Sequence, residues 1–520
     1  MANPDLFKST RGALVPPADA VNEAGGNAYA LSPKHALAQY AVTGCLSNTF
    51  YASAEEQLDT ILSLAQQCEP GFIAKLAVFS RQSAYMKDSP ALLCAWLATT
   101  DVRLLERVFD RVIDNGRMLR NFAQIIRSGV VGRKSFGTAP RRLIRRWIER
   151  RSPEQLLRDS VGESPSLADI IKMVHVKPAD SERAALYAYL VNTRRGVDVA
   201  RLPASVQAFE AWKADKSGPL PPVDFRLLTA LDLGPKEWIA IARNAGWTMT
   251  RMNLNTFVRH GVFEDGATTK LVAARLADPN EVRRARAFPY QLMAAFLNAD
   301  KAVPRVVTNA LQDAMEVATE NVPETRGDVF VLPDVSGSMA SPVTGRRAGG
   351  GGGTSKMRCI DVAALTAACI LRKNPDAQVM PFAQGVVDLP RLNARDSILT
   401  NAEKLAKLLG GGTNCSAPLL AIEKKRAHVD AAIFVSDNES WMDTANRGTG
   451  MMQVWSAIVQ RDPEAKLVCI DIQPYGTSQA PEGKNRLNVG GFSDTVFQVV
   501  GDFLNEAPGR FVERIESVEV

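Results

Sequence analysis

The chain has 520 residues, too many for one hydrophobic core, so at least two domains are expected. Apolar residues make up 46% of the sequence, but charges interrupt them before any stretch reaches the roughly 20 apolar residues of a membrane span. The N-terminus also lacks the pattern of a signal peptide. The net charge is +6 and uneven, with 41 basic against 33 acidic residues in 1–323 and 21 against 23 in 324–520. This asymmetry indicates that the first part meets a polyanion and the second does not.

The seven cysteines predict a cytoplasmic protein. They are odd in number, dispersed and never in a CxxC pair. That distribution argues against both a disulfide framework and a zinc knuckle. We therefore interpret them as reduced thiols.

The first three hundred residues have the pattern of helices nearly throughout. Apolar residues recur three and four apart in stretches such as AEEQLDTILSLAQQC and RVFDRVIDNGRMLRNFAQIIRSG. Short turns with Pro, Gly, Asp or Asn separate these stretches, and no run in this region alternates like a strand. Because each amphipathic helix must bury its apolar stripe, a succession of antiparallel helix pairs is expected, as in a helical solenoid.

A basic segment from Arg127 to Arg151 contains nine basic residues and a single acidic one, Glu149. Its candidate polyanion-binding residues are Arg133, Lys134, Arg141, Arg142, Arg145 and Arg146. The four arginines from Arg141 to Arg146 recur at helical spacing, which places them on one flank of a predicted helix. Basic side chains aligned in this way form a surface that attracts phosphates. The alternative is a solvated basic face with no ligand. The near absence of acids in the segment favours polyanion binding.

A second candidate is the segment IIKMVHVKP, a predicted helix stopped by Pro178 with His175 and Lys177 at its end. A single histidine beside apolar residues is more often a core residue with one hydrogen bond than a ligand contact. Lys177 is assigned to the basic surface from its charge.

Around Val322 the pattern changes to strands that alternate with helices. Continuous apolar runs such as DVFVLPDVS, DAAIFVSD and KLVCIDI predict a mostly parallel, doubly wound sheet with helices on both faces. The predicted domains are therefore a helical array at 1–323 and an α/β domain at 324–520.

The α/β domain carries a candidate metal site, because ligands bind at the carboxyl ends of strands in such sheets. Five oxygen-bearing side chains follow the predicted strands or a glycine-rich loop: Asp334, Ser336, Ser338, Thr413 and Asp437. Two carboxylates and three hydroxyls suit Mg²⁺ or another divalent cation, which prefers oxygen ligands.

Two other interpretations of the DVSGSM loop were considered. A phosphate loop needs Lys followed by Ser or Thr after its last glycine, whereas GGGGGTSK places the hydroxyls before Lys356. A simple tight turn would also use Asp, Ser and Gly. Thr413 lies in a glycine-rich loop before a helix, and Asp437 directly follows a predicted strand; these positions favour the metal site over the other two interpretations. The glycine run at 348–353 predicts a mobile surface insertion.

These motifs resemble a known family. DVSGSM, GGGTN and VSDNES are similar to the metal-ion-dependent adhesion site (MIDAS) of a von Willebrand factor A domain. HVKP, GRKSFGTAPRRLIRRWI and GWTMTRMNLNTF resemble the TROVE module, and the order of the two resembles the Ro autoantigen family with its bacterial members. The resemblance implies an all-α ring of HEAT-like repeats followed by the α/β von Willebrand factor A domain.

The resemblance also implies a function as a ribonucleoprotein scaffold without catalysis. In that family a Y RNA binds the basic outer surface of the ring, and single-stranded ends of misfolded or structured RNA enter its cavity, in RNA quality control and decay. An exoribonuclease, polynucleotide phosphorylase, can be tethered through the RNA. His175 and Arg158 match positions that the family associates with RNA contact.

Two alternatives differ in class. The protein could be an adaptor whose metal domain binds a partner's carboxylate, with RNA not the main ligand. It could instead be a metal-dependent nuclease or phosphatase, but hydrolysis usually requires a second metal or a placed general base, and Glu439 is the one weak candidate.

Overall fold

The structure is a computed structural model that describes residues 15–43, 46, 48–162, 164–191, 197–216, 218–322, 324–325, 327–343, 356–389, 391–442, 448–492, 494–505 and 510–520. The predicted glycine-rich insertion lies outside these ranges. Six described cysteines are buried and free of disulfides, and Cys45 is not described. Within these ranges no helix is both long and apolar enough to cross a bilayer.

The N-terminal part begins with two short strands, β1 (Ala20–Val21) and β2 (Asn27–Ala30), and continues with helices. The helices are α1 (Pro33–Thr43), α2 (Ala54–Gln66), α3 (Pro70–Gln82), α4 (Asp88–Thr100), α5 (Val102–Val112), α6 (Gly116–Ser128), α7 (Thr138–Glu149), α8 (Pro153–Asp159), α9 (Leu167–Val174), α10 (Ser181–Val191), α11 (Ala204–Ala214), α12 (Phe225–Leu228), α13 (Pro235–Asn244), α14 (Trp247–Met252), α15 (Leu254–Arg259), α16 (Gly266–Ala277), α17 (Pro279–Ala285), α18 (Pro289–Asn298) and α19 (Arg305–Ala318).

The α/β part follows with strands and helices in alternation. Its elements are β3 (Val329–Pro333), α20 (Cys359–Lys373), β4 (Gln378–Val379), α21 (Ile398–Ala406), α22 (Ser416–Lys425), β5 (Ala431–Ser436), α23 (Gly450–Arg461), β6 (Lys466–Asp471), β7 (Thr477–Ser478), β8 (Arg486–Gly490), α24 (Asp494–Leu504) and α25 (Phe511–Glu516). The predicted succession of a helical region and an α/β domain is confirmed.

Local sequence explains where the basic helices begin and end. Asp101 caps α5 by accepting from the backbone N–H of Leu104 at 3.0 Å. Asn115 caps α6 through the N–H of Met118 at 3.1 Å, and Gly129 ends that helix with a φ of 90°. These side chains satisfy N–H groups that a helix leaves unpaired at its first turn, and glycine tolerates the left-handed conformation at its end.

The core of the α/β part is a five-stranded parallel sheet in the order β4-β3-β5-β6-β8. Every residue of β3 and β5 is buried, as expected of strands covered on both faces. The rings of Phe382 and Phe434 pack edge to face, with centroids 5.5 Å apart, and Trp455 of α23 is buried against the same cluster. The register pairs Pro333 with Val435, so that β3 and β5 end at the same edge of the sheet.

A second, antiparallel sheet was not predicted from the sequence. β2 pairs with β1 on one side and with β7 on the other, so Tyr29 lies opposite Ser478. Strands of two and four residues are too short to produce an alternating pattern. The N-terminal segment therefore belongs structurally with the α/β elements.

The described chain forms two compact units that interleave in sequence. One contains the residues up to Cys68 with Val282–Asn298 and Leu311–Ser517, and the other contains Glu69–Glu281 with Ala299–Ala310 and the last three residues. The predicted boundary at 323/324 divides the chain by secondary structure, into a helical part and an α/β part. The two compact units divide it differently, so the predicted domain boundary stays a prediction.

A substitution at Gly26 tests whether the N-terminal segment packs against the loop that contains Ser440. A Cβ added at Gly26 would overlap the carbonyl oxygen of Ser440. Gly26→Ala should therefore lower the free energy of unfolding by about 1–3 kcal/mol, the usual cost of overpacking. The measurement is the shift in the urea unfolding midpoint. Gly71→Ala is the matched control, because an added Cβ there meets no atom within 4 Å; equal shifts for the two variants would contradict the packing.

Candidate metal centre and cationic surface

The first metal-site loop begins where β3 ends. Asp334 follows Pro333 and is fully buried, and its Oδ1 accepts from the backbone N–H of Ser336 at 2.8 Å. Its Oδ2 accepts from the hydroxyl of Ser436, at the end of β5, at 2.6 Å. The two adjacent strands thus fix both oxygens of one carboxylate.

Backbone hydrogen bonds bring the three predicted loops together. Gly337 N–H donates to the carbonyl of Gly411 at 2.9 Å, and Gly410 N–H donates to the carbonyl of Val335 at 2.8 Å. These bonds join the DVSGSM loop to the glycine-rich loop that carries Thr413. Asp437 directly follows β5, next to Ser436. The structure therefore draws the loops that carry all five predicted side chains to one edge of the sheet.

The site has the chemistry of a hard-cation site. Burial, and then the nearby charge of Asp437, raises the pKa of Asp334, and burial raises the pKa of Asp437. The Ser338 hydroxyl lies 3.3 Å from that of Ser336 and also hydrogen-bonds the Asp437 carboxyl. Two buried carboxylates without a compensating cation among the described side chains, lined by hydroxyls, fit a divalent ion such as Mg²⁺.

The donor set is mixed rather than rich in acids. No group of three or more His, Cys, Asp or Glu residues in the described ranges is arranged to hold a metal. The five candidate ligands contribute two carboxylates and three hydroxyls, so an ion there would depend on water or another ligand to complete its shell. Occupancy by Mg²⁺ stays a prediction.

Three further side chains lie near the site, and only Glu439 among them was considered from the sequence, as a weak candidate for a general base. Burial, then the charge of Asp437, raises the pKa of Glu439 to about 9. The hydroxyl of Tyr51 is within hydrogen-bonding reach of Ser338, and its ring contacts Tyr475 at a centroid distance of 5.5 Å. Glu439 could be recognised in VSDNES, but no local signal marks Tyr51 or Tyr475.

The predicted arginine track lies on α7, as its spacing indicated, but it meets acids from α5. Arg142 pairs with Glu106, and Arg146 donates to Asp110 at 3.1 Å. Arg141 lies on the same helix and is half-buried. Counting charges along the segment overlooked these partners because they lie 36 residues earlier in the chain.

The two basic residues before α7 have different environments. Arg133 donates to the carbonyls of Ser135, Ala98 and Phe136 at 2.9, 2.6 and 2.7 Å, so its guanidinium holds a loop together. Lys134 is exposed, with its stem lying over Gly129.

His175 is not a core residue. It ends α9 in the left-handed conformation, with a φ of 53°, and its side chain is exposed, as is that of Lys177. Arg145 of α7 donates to the carbonyl of Val174, which brings it beside His175. Arg158, near the end of α8, lies 3.6 Å from Asp159 and is half-exposed. The locations of these side chains do not show whether they contact RNA, so RNA contact stays a prediction.

The parallel sheet and the DxSxS loop with Thr413 and Asp437 at its edge define a von Willebrand factor A domain, here preceded by a helical region. Residues 329–504 match the Ro60 vWA domain family. The chain is 28% identical over 516 residues to the RNA-binding protein RO60 of Deinococcus radiodurans, covering 93% of this chain and 94% of that protein. It is 24% identical over 249 residues to RO60 of Caenorhabditis elegans, covering 45% of this chain and 36% of that protein.

A solved structure extends the similarity to the fold. The crystal structure of the Deinococcus radiodurans Ro (Rsr) protein matches with a TM-score of 0.62 at 25% identity, covering 92% of this chain and all of that one. The resemblance to the Ro family is therefore confirmed. Closure of the helices into a ring stays a prediction.

Metal binding can be tested through stability. Mg²⁺ at a hundredfold excess over its dissociation constant should stabilise the wild-type protein by about 2.7 kcal/mol, because it binds only the folded state. Asp334→Asn should abolish this gain and stabilise the metal-free protein, since the amide removes the repulsion with Asp437. Differential scanning calorimetry with and without Mg²⁺ measures both effects.

The matched control is Asp376→Asn, an exposed carboxylate away from this edge of the sheet. It should respond to Mg²⁺ as the wild type does. A Mg²⁺ response that survives in Asp334→Asn would contradict the assigned site.

Proposed function

We propose that the protein binds noncoding RNA and acts as a ribonucleoprotein scaffold. The observation that carries the proposal is a group of basic side chains where α6 and α7 pack against α9, all of them exposed except the partly buried Arg145. We call this group the α9 cationic surface; its members are Arg127, Arg145, Lys172, His175 and Lys177. The names of the two RO60 relatives support RNA as the ligand class.

The α9 cationic surface suits phosphate contacts. Lys172, His175 and Lys177 are exposed, and no acid pairs with them within 4 Å among the described residues. Asp169 lies near Arg127 and Lys172, whose charges help to lower its pKa after its hydrogen bonds with Ser166. Lysine and arginine bind the RNA backbone through charge, with strong dependence on salt and little dependence on sequence.

The paired arginines of α7 remain available in this proposal. Arg142 is 63% exposed and its partner Glu106 is 33% exposed. Exposed ion pairs contribute only about 0–1 kcal/mol, so phosphates could replace the acids at small cost.

The finer parts of the proposal come from the family resemblance. The ligand would be a Y-like RNA on the basic outer surface and the single-stranded ends of misfolded or structured RNA in a ring cavity. The complex would act in RNA quality control and decay in the cytoplasm, with an exoribonuclease such as polynucleotide phosphorylase tethered through the RNA. Mg²⁺ would neutralise charge in the α/β part without catalysing a reaction.

Charge reversal on the α9 cationic surface tests RNA binding. Lys172→Glu with Lys177→Glu should weaken binding of a labelled hairpin RNA with a single-stranded end at least about tenfold near 150 mM salt. Loss of two phosphate contacts should also reduce the slope of log K against log salt by about 2. Filter binding over a salt series measures both quantities.

The control carries the same charge change elsewhere on the helical region. Lys236→Glu with Lys270→Glu replaces two exposed lysines on α13 and α16. If this control weakens RNA binding as much as the first variant does, the α9 cationic surface is not the binding site. If the wild type has no affinity for the RNA at low salt, the proposed function is wrong.

The absence of catalysis can be measured directly. Labelled RNA incubated with the Mg²⁺-saturated protein should remain intact, because hydrolysis usually requires a placed general base or a second metal ion, and the described residues offer no cluster of three or more His, Cys, Asp or Glu to hold such an ion. Cleavage that Asp334→Asn abolishes would contradict the proposal of a non-catalytic scaffold.

A further inference from the structure

The metal site lies beneath a segment from the start of the chain. Asn22 Nδ2 donates to the carbonyl of Ser440 at 2.7 Å, and the backbone N–H of Ala24 donates to Glu439 Oε2 at 3.1 Å. Gly26 packs so closely on Ser440 that a side chain there would overlap its carbonyl. The turn between β1 and β2 is therefore bonded to the loop that directly follows Asp437.

Tyr51 adds a side chain to this contact. Its ring stands edge to face on Tyr475, with an interplanar angle of 86°. The loop that carries it is anchored, because Thr49 N–H donates to the carbonyl of Ala52 at 2.8 Å and Gln57 donates to the Thr49 hydroxyl at 3.1 Å. Residues 22–26 and Tyr51 together are called the N-terminal cover.

The Tyr51 hydroxyl lies beside the candidate ligands. It is within hydrogen-bonding reach of Ser338 and near the carboxyl groups of Asp437 and Glu439. A phenol hydroxyl at this position can donate to Ser338.

The consequence is a closed site. Asp334 and Ser336 are 0% exposed, Thr413 and Asp437 are 2% exposed, and Ser338 is 7% exposed. An adhesion-type site needs one open coordination position that a carboxylate on another protein can reach. Ligands buried to this degree present almost no surface to the carboxylate of a folded partner or a peptide.

We propose that the N-terminal cover closes the metal site against protein carboxylates, with Tyr51 as the residue that determines which ligand completes the shell of the ion. Water or a small inorganic anion completes it in the covered state. Tyr51 acts through exclusion and through its hydrogen bond to Ser338, and it is a specificity-determining residue rather than a catalytic one. This inference is independent of the RNA-binding proposal, because it concerns the other compact unit.

The test uses the full-length protein with Mg²⁺ and a fluorescent pentapeptide that contains one aspartate. Fluorescence anisotropy should detect no binding to the wild type or to Tyr51→Phe, which keeps the ring. Tyr51→Ala should bind the peptide with a dissociation constant at least about tenfold below the highest protein concentration at which the wild type shows no binding, and EDTA or an added Asp334→Asn substitution should abolish that binding. Binding that is equal in wild type and Tyr51→Ala, including none in either, overturns the proposal.

Two further variants keep the test decisive. If Tyr51→Ala does not fold, Tyr51→Leu retains an apolar contact with Tyr475 but is too short to reach Ser338, and it should also gain peptide binding. Leu420→Ala, which removes an exposed apolar side chain of α22, should not gain binding. RNA affinity should stay unchanged in all of these variants, so failure of the N-terminal cover and failure of RNA binding give different results.

Discussion

Two buried carboxylates at one edge of the parallel sheet set the main constraint on the α/β part. Asp334 and Asp437 follow adjacent strands and are both almost inaccessible to solvent. Burying two like charges is costly unless they are protonated, hydrogen-bonded or neutralised by a cation. The Ser436 and Ser338 hydroxyls supply part of the compensation, and a divalent ion would supply the rest. The three loops, the glycines that let them approach and the N-terminal cover are all arranged around this requirement.

In the helical region most of the charge lies at the surface instead of being buried. Much of its positive charge is exposed and partly balanced by acids from neighbouring helices, as Arg146 and Arg150 are by Asp110. Arg133 is instead bound to backbone carbonyls. One group of basic side chains without an acid partner among the described residues, Lys172, His175 and Lys177, lies near the end of α9. A basic segment in a sequence thus separates, once folded, into structural arginines, balanced arginines and a smaller surface open to phosphate.

The sequence predicted that Asp334 and Asp437 lie together because a simple rule connects them; that they hold a metal stays a prediction. Strands with continuous apolar character are parallel, and parallel strands end at a common edge, so Asp334 and Asp437 had to lie near each other. No such rule relates Tyr51 or Ala24 to that edge, since their contacts join residues hundreds of positions apart. The same limit explains the arginines of α7. Their spacing was correctly interpreted, but Glu106 and Asp110 come from a different helix, and sequence distance conceals such partners.

The pairing of β2 with β7 has a consequence for the construction of the molecule. Tyr29 and Ala30 lie opposite Ser478 and Thr477, so β2 pairs with a strand that lies far from it in the sequence, on the other side of the helical region. A fragment cut at the start of the α/β sequence would leave β7 without its neighbour and its edge open to other chains. The α/β elements of the described chain are consequently completed by β2, a strand that precedes the helical region in the sequence.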